Sequence, residues 1–304
     1  MRRLFTIKRL FLLLIFFLLA AVIAASYEFR LFERAWFNMN QPADAPSHSL
    51  WLNDYEVMIE AKRIEGVDEG LSALTYDPDR NSLFTVTNEN PRLIELSLEG
   101  EVLRQIELVG FGDAEAVEYV APGRFVIADE RPQRLIEVRI DENTLSVNAA
   151  DGQQLSIALD MGSANKGLEG LAYDLVGKRL FAAKERDPVR IYEIHGFPNL
   201  NLAKPSSVQI SENLNRDARI FLRDLSSLHY ESRTGHLLAL SDESRLVVEL
   251  REDGEAISSL SLLPGKHGLK ESVPQAEGIA MDAQGMLYLA GEPNLFYKFK
   301  KKAK

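Results

Sequence analysis

The chain has 304 residues and carries a net charge of −10 at pH 7. Its residues are 46% hydrophobic, which provides enough apolar material for the core of one large closed domain or of two ordinary ones. It contains no cysteine, so disulfides, thiolate metal sites and cysteine nucleophiles are excluded. Four basic residues lie near the N-terminus and five lysines near the C-terminus, so residues 10–297 carry a net charge of −19. This argues against nucleic acid as a partner, because phosphate backbones are bound by clustered Lys and Arg.

The first 27 residues predict a membrane anchor. The basic sequence MRRLFTIKR precedes 18 uncharged and mostly apolar residues, Leu10 to Tyr27, which as a helix would rise about 27 Å and cross a bilayer core. Basic residues on this flank place the N-terminus in the cytoplasm and the rest on the far side. The alternative is a signal peptide cleaved near Ala24-Ala25-Ser26. Because the apolar run is long for a signal peptide, we assign residues 1–27 to a cytoplasmic N-terminus and a transmembrane signal-anchor helix.

Residues 28–50 are expected to connect the anchor to the remaining chain. The sequence from Phe29 to Asn40 scatters aromatic residues among charges and predicts a juxtamembrane helix with its rings at the membrane interface; an ordinary stalk is the alternative. The sequence QPADAPSHS, Gln41 to Ser49, has two prolines and no apolar periodicity. We interpret it as a linker.

From about residue 70 onward, one pattern occurs five times. Its clearest copy is GLEGLAYDLVGKRLFAAKERDPVRIYEI, from Gly167 to Ile194, which contains a strand, a turn, a second strand ending before a glutamate, and a third strand. The leading residues of the five first strands are Ser72, Glu115, Glu169, Ser226 and Glu277, and the glutamates after the second strands are Glu89, Glu130, Glu185, Glu243 and Glu292. The spacing between the two positions is 15 to 17 residues in every copy. Such repeats are typical of propeller blades, each a four-stranded antiparallel sheet.

The repeat therefore predicts an all-β fold, a five-bladed β-propeller over residues 51–304. A strand-like segment, Tyr55 to Ile64, precedes the first full copy, whereas the last copy ends at its third strand, Leu295 to Phe299. We predict that the N-terminal strand completes the last blade and closes the ring. A sixth blade is the alternative, if Asn199 to Leu222 contains further strands.

Antiparallel pairing places the leading residue and the glutamate after the second strand at the same end of each blade. We therefore predict a ligand-binding rim near the propeller axis, with Asp113 and Asp224 close by. The rim residues are Glu89, Glu130, Glu185, Glu243 and Glu292, and the predicted metal ligands are Glu115, Glu169 and Glu277. Crowded carboxylates repel unless their pKa values rise or a cation binds, and Ca²⁺ takes six to eight oxygen ligands.

The competing interpretation of the rim is structural. Each glutamate would cap a loop by accepting backbone N–H bonds, or would pair with a nearby arginine; four arginines stand just before the third strand and fit this role. These arginines are Arg92, Arg134, Arg190 and Arg245. A repeated structural role of this kind needs no ligand.

Three further sets of residues have mainly structural interpretations. Glu95, Glu137, Glu193 and Glu249 alternate with apolar residues on the third strands and are expected to be solvated or to lie between blades. Tyr76, Tyr119, Tyr173 and Tyr230 recur at one strand position and are expected to pack between blades, with their hydroxyls bonded at an edge. His229 either packs in the core or projects into the channel. No nucleophile motif, dinucleotide fingerprint or paired-histidine spacing is present, so no catalytic residue and no organic cofactor are predicted.

The anchor and linker, the sequence EGLAYD with its copies, and the strand-end motifs NEN, DER, KER and DES resemble the SdiA-regulated family of bacterial envelope proteins over roughly residues 50–300. The resemblance implies a propeller in the periplasm on a single-pass inner-membrane anchor, with Ca²⁺ as a candidate cofactor, and it implies no particular reaction.

Two functions fit these observations. The first is a binding or scaffolding module for an envelope protein or a small ligand. The alternative is a Ca²⁺-dependent hydrolase of lactones or phosphoesters, in which one rim carboxylate acts as general base. A sensor is disfavoured, because the nine residues before Leu10 form a very short cytoplasmic segment.

Overall fold

The computed structural model describes residues 2–28, 30–67, 70–157, 167–201, 203 and 207–303. The chain divides into two units, residues 1–40 and 41–304. The first unit contains helix α1, Arg2–Glu28, and helix α2, Leu31–Asn40, which contact each other. Within α1, Ile7–Glu28 is long and apolar enough to cross a membrane, which supports the predicted N-terminal transmembrane helix.

The second unit contains five sheets, whose main strands pair antiparallel. Its first strand along the chain is β1, Tyr55–Arg63. The first sheet contains β2, Leu71–Asp77, β3, Ser82–Thr87, β4, Arg92–Leu96, and β5, Val102–Val109. The second contains β6, Ala114–Ala121, β7, Arg124–Asp129, β8, Arg134–Arg139, and β10, Gln154–Ser156. Between β8 and β10 the chain forms β9, Ser146–Asn148, which pairs in parallel with β5 and adds a fifth strand to the first sheet.

The remaining three sheets have four strands each. The third contains β11, Leu168–Asp174, β12, Arg179–Lys184, β13, Arg190–His195, and β14, Gln209–Glu212. The fourth contains β15, Ser227–Glu231, β16, His236–Ser241, β17, Leu246–Leu250, and β18, Ala256–Ser261. The fifth contains β19, Ala276–Met281, β20, Leu287–Gly291, β21, Leu295–Lys301, and β1.

The innermost strands form a closed ring. Strand β2 contacts β6, β6 contacts β11, β11 contacts β15, β15 contacts β19, and β19 returns to β2. The predicted five-bladed propeller is therefore confirmed. The described residues between β13 and β15 form only β14 and a short helix, α3, Leu214–Asp217, so the alternative of a sixth blade is not realised.

The ring is closed as the sequence predicts, by pairing of the two ends of the propeller. Strand β1 lies antiparallel to β21, with Tyr55 opposite Lys301 and Arg63 opposite Leu295. Beyond the strand, the Ile64 amide donates to the Asn294 carbonyl at 2.9 Å, and the Asn294 side chain donates to the carbonyls of Ile64 and Val67.

Two glycines of the repeat allow neighbouring inner strands to approach closely. A Cβ on Gly170 would lie 3.0 Å from the backbone nitrogen of Leu228 in the next blade, and one on Gly278 would lie 2.5 Å from the carbonyl carbon of Ala73. A side chain at Gly278 would clash with this backbone, and one at Gly170 would force the next inner strand outward by a few tenths of an ångström. This close approach accounts for the glycine in EGIAMD and favours it in EGLAYD.

Three of the third-strand glutamates are buried, so the part of the prediction that placed them in solvent is corrected. Glu95, Glu137 and Glu249 are 7%, 1% and 0% exposed. Each pairs with a basic side chain of its own sheet: Arg104 Nε lies 2.6 Å from Glu95, Arg124 Nε 2.6 Å from Glu137, and His236 Nδ1 2.8 Å from Glu249. Because a buried charge needs a partner, these pairs are part of the sheet structure.

The repeated tyrosines pack between blades at the end of the inner strand. The Tyr119 hydroxyl donates to Asp79 Oδ2 of the first blade at 2.5 Å, and the Tyr230 ring stacks on Phe181 of the third blade with centroids 5.5 Å apart. These contacts agree with the predicted packing role.

Candidate cation site at the acidic rim

The repeat brings carboxylates from several blades to one end of the propeller. Each inner strand starts at this end, and the second strand runs antiparallel back to it; in the third blade, for example, Leu168 pairs with Lys184. Glu169 and Glu185 follow these two residues directly. We call this surface the acidic rim and define it by its leading and strand-end carboxylates with three nearby aspartates: Glu115, Glu169, Glu277, Glu89, Glu130, Glu185, Glu243, Glu292, Asp113, Asp224 and Asp242.

Mutual electrostatic effects show which rim residues lie close together. Burial raises the pKa of Glu169 to about 10, with further increases from Glu185, Glu277, Glu115 and Glu130 in that order. The carboxyl of Glu169 therefore retains its proton at neutral pH, because an ionised form would be buried among other negative charges.

The other leading glutamates behave in the same way. Burial raises the pKa of Glu277 to about 8, with contributions from Asp242 and Glu292. It also raises the pKa of Glu115 to about 7, against the opposing effect of a hydrogen bond from Ser72. Carboxylates from different blades therefore converge at the rim, although they are far apart along the sequence.

Within the described residues, Asp113, Glu115 and Glu130 form a group in which one carboxylate oxygen of each residue lies within 4.8 Å of the others. The group lines a cavity of about 310 Å³ together with Asn88, Glu89, Arg131 and Glu292. Of the predicted metal ligands, Glu115 belongs to this group, whereas Glu169 of the third blade and Glu277 of the fifth blade interact with it electrostatically. Glu89 is exposed on the side of the cavity.

Hydrogen bonds hold the group in place without neutralising it. Ser72 Oγ donates to Glu115 Oε2 at 2.8 Å, and the Gly167 amide donates to Glu130 Oε1 at 2.9 Å. Arg131 Nε donates to Asp113 Oδ2 at 2.9 Å. The Arg131 guanidinium is itself largely exposed, so water screens its charge.

In two blades, backbone N–H bonds at the rim are accepted by the aspartate before the strand-end glutamate. Asp129 accepts hydrogen bonds from the amides of Gly112 and Asp113, at 3.0 and 2.8 Å. Asp242 accepts one from the Ala276 amide at 2.8 Å. These aspartates precede Glu130 and Glu243 in the sequence. Among the rim contacts described above, only Glu130 is a strand-end glutamate that accepts a backbone N–H bond, from Gly167.

The arginines before the third strands also pair with other residues. Arg134 contacts Asp129 at 2.9 Å, Arg245 contacts Asp242 at 2.6 Å, Arg92 donates to Gln105 at 2.5 Å, and Arg190 lies 4.0 Å from Glu212. The predicted pairing of these arginines with the strand-end glutamates is therefore wrong. Instead, Arg186 contacts both Glu185, at 3.1 Å, and Glu243 of the next blade.

Sequence reasoning missed Arg186 and Asp242 at the rim. Both stand next to a strand-end glutamate, in the motifs KER and DES, so their position near the rim was visible in the sequence. Their partners were not, because Arg186 reaches across a blade boundary to Glu243.

Several solved structures resemble the chain distantly. The nidogen/laminin complex has a TM-score of 0.46 at 14% identity, covering 74% of this chain and 73% of that chain. Streptogramin B lyase has a TM-score of 0.49 at 10% identity, with 84% and 100% covered. The calcium-binding protein regucalcin from Agrobacterium tumefaciens has a TM-score of 0.49 at 11% identity, with 79% and 93% covered. Similarities at this level carry no argument about ligand or activity.

The family comparison is more informative, because it covers most of the sequence. The model of the SdiA-regulated family matches residues 47–300, a range that contains all five blades and the closing strand β1. The resemblance seen in the repeat motifs is thereby confirmed, and the chain belongs to the SdiA-regulated family.

Proposed function

We propose that this chain is a membrane-anchored binding or scaffolding module of the bacterial envelope, and that its acidic rim holds a divalent cation. The observation that carries the proposal is the group of Asp113, Glu115 and Glu130, in which one carboxylate oxygen of each residue lies within 4.8 Å of the others. Crowded carboxylates favour a cation, because its charge offsets their mutual repulsion.

The donor chemistry favours Ca²⁺. Hard cations take oxygen ligands, and Ca²⁺ accepts six to eight of them in flexible geometry. Asp113, Glu115 and Glu130 each offer two carboxylate oxygens, and the Asn88 side chain and the backbone of Gly70 line the same cavity. A bound cation would lower the pKa values of these carboxyls and keep them ionised.

The other predicted site residues would act around this centre. Glu169 and Glu277 would increase the negative potential that attracts the cation. Glu89 and Glu292 line the same cavity and would contact a ligand or an envelope protein held there. Glu185 and Glu243 share Arg186 and would bind the cation less directly.

The proposed location is the bacterial inner membrane, with the propeller in the periplasm. The apolar segment Ile7–Glu28 is compatible with a single-pass anchor. The basic residues at the N-terminal end of the chain, Arg2, Arg3, Lys8 and Arg9, favour a cytoplasmic N-terminus. The segment would therefore remain in the membrane and leave residues 51–304 on the periplasmic side.

Elemental analysis of the purified chain before and after EDTA tests the cation site. We expect a stoichiometric divalent ion, its loss on chelation, and a melting temperature that falls by a few degrees and recovers with Ca²⁺. Glu115→Gln and Glu130→Gln should reduce the bound metal. Glu101→Gln is the matched control, because the Glu101 side chain is 70% exposed and lies outside the rim. A protein that purifies without metal and is unaffected by EDTA or Ca²⁺ contradicts the proposal.

The hydrolase alternative draws on the position of Glu169, which is buried beside the carboxylates of other blades. Burial raises its pKa to about 10, so it could donate a proton to a leaving group beside a rim cation. Assays with lactones and phosphodiesters in Ca²⁺ distinguish the two functions. The binding module predicts no turnover, whereas turnover abolished by Glu169→Gln in a folded protein would establish the enzyme.

A further inference from the structure

A second cavity lies at the opposite end of the inner strands. Tyr76, Tyr119, Tyr173 and Tyr230 come four residues after the leading position of their blades, about 13 Å along the strand from the acidic rim. They line a cavity of about 240 Å³, and Met281 of the fifth blade, which holds the same position in its repeat, lines it too. We call this cavity the tyrosine mouth. It has the features of a small-ligand site, being concave and mostly apolar with a few polar groups directed into it.

Glu118 is the buried acid of the tyrosine mouth. Its residue is 7% exposed, and its Oε1 accepts a hydrogen bond from the Tyr173 amide at 3.1 Å. The Thr75 hydroxyl also interacts with the carboxyl. Among the residues that the structure describes, no Lys, Arg or His forms an ion pair with Glu118.

The other charged groups of the cavity do not supply a cation for Glu118. Arg233 binds Glu231 through two nitrogens, at 2.8 and 2.6 Å, so their charges cancel. Asp282 accepts hydrogen bonds from the amides of Gln284 and Met286 and from the Tyr288 hydroxyl. Burial lowers the pKa of His229 to about 4, so its imidazole is neutral. The cavity therefore has an excess of acid.

We propose that the tyrosine mouth binds a small organic cation, an alkylammonium or quaternary ammonium group, against the Glu118 carboxylate and the surrounding tyrosine rings. Aromatic rings attract cations through their negative faces, and a desolvated site strengthens the attraction. One such contact already exists at this end of the propeller, where the Arg179 guanidinium lies 5.9 Å from the centroid of the Tyr230 ring. A cationic ligand would give Glu118 an ion-pair partner and so stabilise the ionised form of this buried carboxyl.

Binding should be linked to the loss of one proton. Burial raises the pKa of Glu118 to about 8, so its carboxyl is largely protonated at neutral pH and must ionise to pair with a cation. The affinity for a permanently charged ligand should therefore increase between about pH 6 and pH 9.

The pH dependence can be assigned to Glu118 after comparison with the other titratable groups that line the cavity. They are His229, Glu231, Arg233, Asp282 and the four tyrosines. The pKa of His229 is about 4, that of Glu231 is lowered, that of Arg233 is raised, and those of the tyrosines are raised above 10. His229, Glu231, Arg233 and the four tyrosines therefore keep the same charge throughout this pH range.

Calorimetric titration of the full chain in maltoside micelles with choline tests the proposal. Choline is permanently charged, and its uncharged isostere, 3,3-dimethylbutan-1-ol, is the control ligand. Millimolar CaCl₂ is present throughout, so that choline does not compete for the acidic rim. We expect choline to bind at least about tenfold more tightly than the alcohol, and to release a proton that is detected by comparing buffers of different ionisation enthalpy.

Three variants assign the binding to the tyrosine mouth. Glu118→Gln should weaken choline binding by about tenfold and abolish proton release. Tyr76→Leu, which removes a half-buried ring, should weaken it about threefold, whereas Tyr76→Phe, which keeps the ring, should have little effect. Glu101→Gln, on an outer surface, is the unaffected control.

The proposal is overturned if choline does not bind, if the alcohol binds as well as choline, or if Glu118→Gln retains the affinity while its circular dichroism and melting temperature show a folded protein. Because Ca²⁺ saturates the rim in these experiments, the result is independent of the proposed cation site. Failure of one proposal is therefore distinguishable from failure of the other.

Discussion

Ser72 Oγ in the first blade donates a hydrogen bond of 2.8 Å to Glu115 Oε2 in the second. The two residues occupy the same leading position in neighbouring repeats, where the first blade has a serine and the second a glutamate. A neutral donor therefore stands beside the carboxylate at this point of the ring. The hydrogen bond opposes the effect of burial on the pKa of Glu115, and so favours the ionised form that a cation requires.

Ser72→Ala should weaken Ca²⁺ binding at neutral pH by about tenfold, because a hydrogen bond to a charged group contributes about 1.5–3 kcal/mol. Isothermal titration with Ca²⁺ measures the change. Ser226→Ala is the matched control at the same repeat position, because Ser226 Oγ donates to the Ala276 carbonyl at 2.7 Å. Equal losses in the two variants would contradict a specific role for the Ser72 contact.

The stability of the metal-free protein should decrease as pH rises. Burial raises the pKa of Glu169 from 4.5 to about 10 and that of Glu277 from 4.5 to about 8. Above about pH 4.5 the unfolded chain has lost these protons while the folded protein retains them, so the free energy of unfolding falls with increasing pH until the folded groups also ionise. Thermal melts in EDTA from about pH 5 to pH 9 should show a decline of several degrees.

Ca²⁺ should reverse this decline most strongly at the alkaline end, because it binds the ionised carboxylates. Glu169→Gln should flatten the pH dependence, since the amide cannot ionise, and Glu101→Gln should leave it unchanged. A metal-free protein that becomes more stable between these pH values would show that the rim carboxyls are already ionised.

Closure of the ring should depend on Asn294. Its side chain is 1% exposed and donates to the carbonyls of Ile64 and Val67, which follow β1 along the chain. Asn294→Ala leaves these carbonyls without that donor and should cost about 1–3 kcal/mol in the free energy of unfolding. Urea denaturation measures the loss. Asn143→Ala, in an exposed turn, should change the stability by less than about 0.5 kcal/mol, and similar losses in both variants would argue against the closure role.

The proposed topology predicts that the propeller is labelled from outside the inner membrane. The chain has no cysteine, so a thiol reagent labels only the single cysteine that is introduced and shows on which side of the membrane it lies. Glu142→Cys, at a side chain that is 84% exposed, should react with a membrane-impermeant maleimide in spheroplasts. Thr6→Cys should react only after lysis. The opposite pattern would contradict a periplasmic propeller, and loss of the Thr6→Cys segment from the mature protein would identify a cleaved signal peptide.

The fold was predictable from the sequence because its determinants repeat. The second-strand glutamate follows the leading residue by 15 to 17 residues in all five copies, and short antiparallel strands at such spacing define a blade. The sequence also predicted the ring closure, because the segment Tyr55 to Ile64 had no partner in its own repeat and the last repeat lacked a fourth strand. Of the two environments expected for the third-strand glutamates, solvent and the space between blades, exposure to solvent is not found for Glu95, Glu137 and Glu249. Alternation shows that a residue faces away from its apolar neighbours but does not show what covers it. Glu249, for example, is covered by the segment before β1, whose Leu50 and Trp51 amides donate to it.

The sequence by itself determined that acids from different blades face one end of the propeller, because strand direction and the antiparallel turn are local properties of each repeat. Only the tertiary structure decided which of them meet. It grouped Asp113, Glu115 and Glu130, placed Arg186 between Glu185 and Glu243, and left Glu118 buried without an ion pair among the described residues. These relationships depend on how neighbouring blades pack against each other, and side chains that meet across a blade boundary lie tens of residues apart in the sequence.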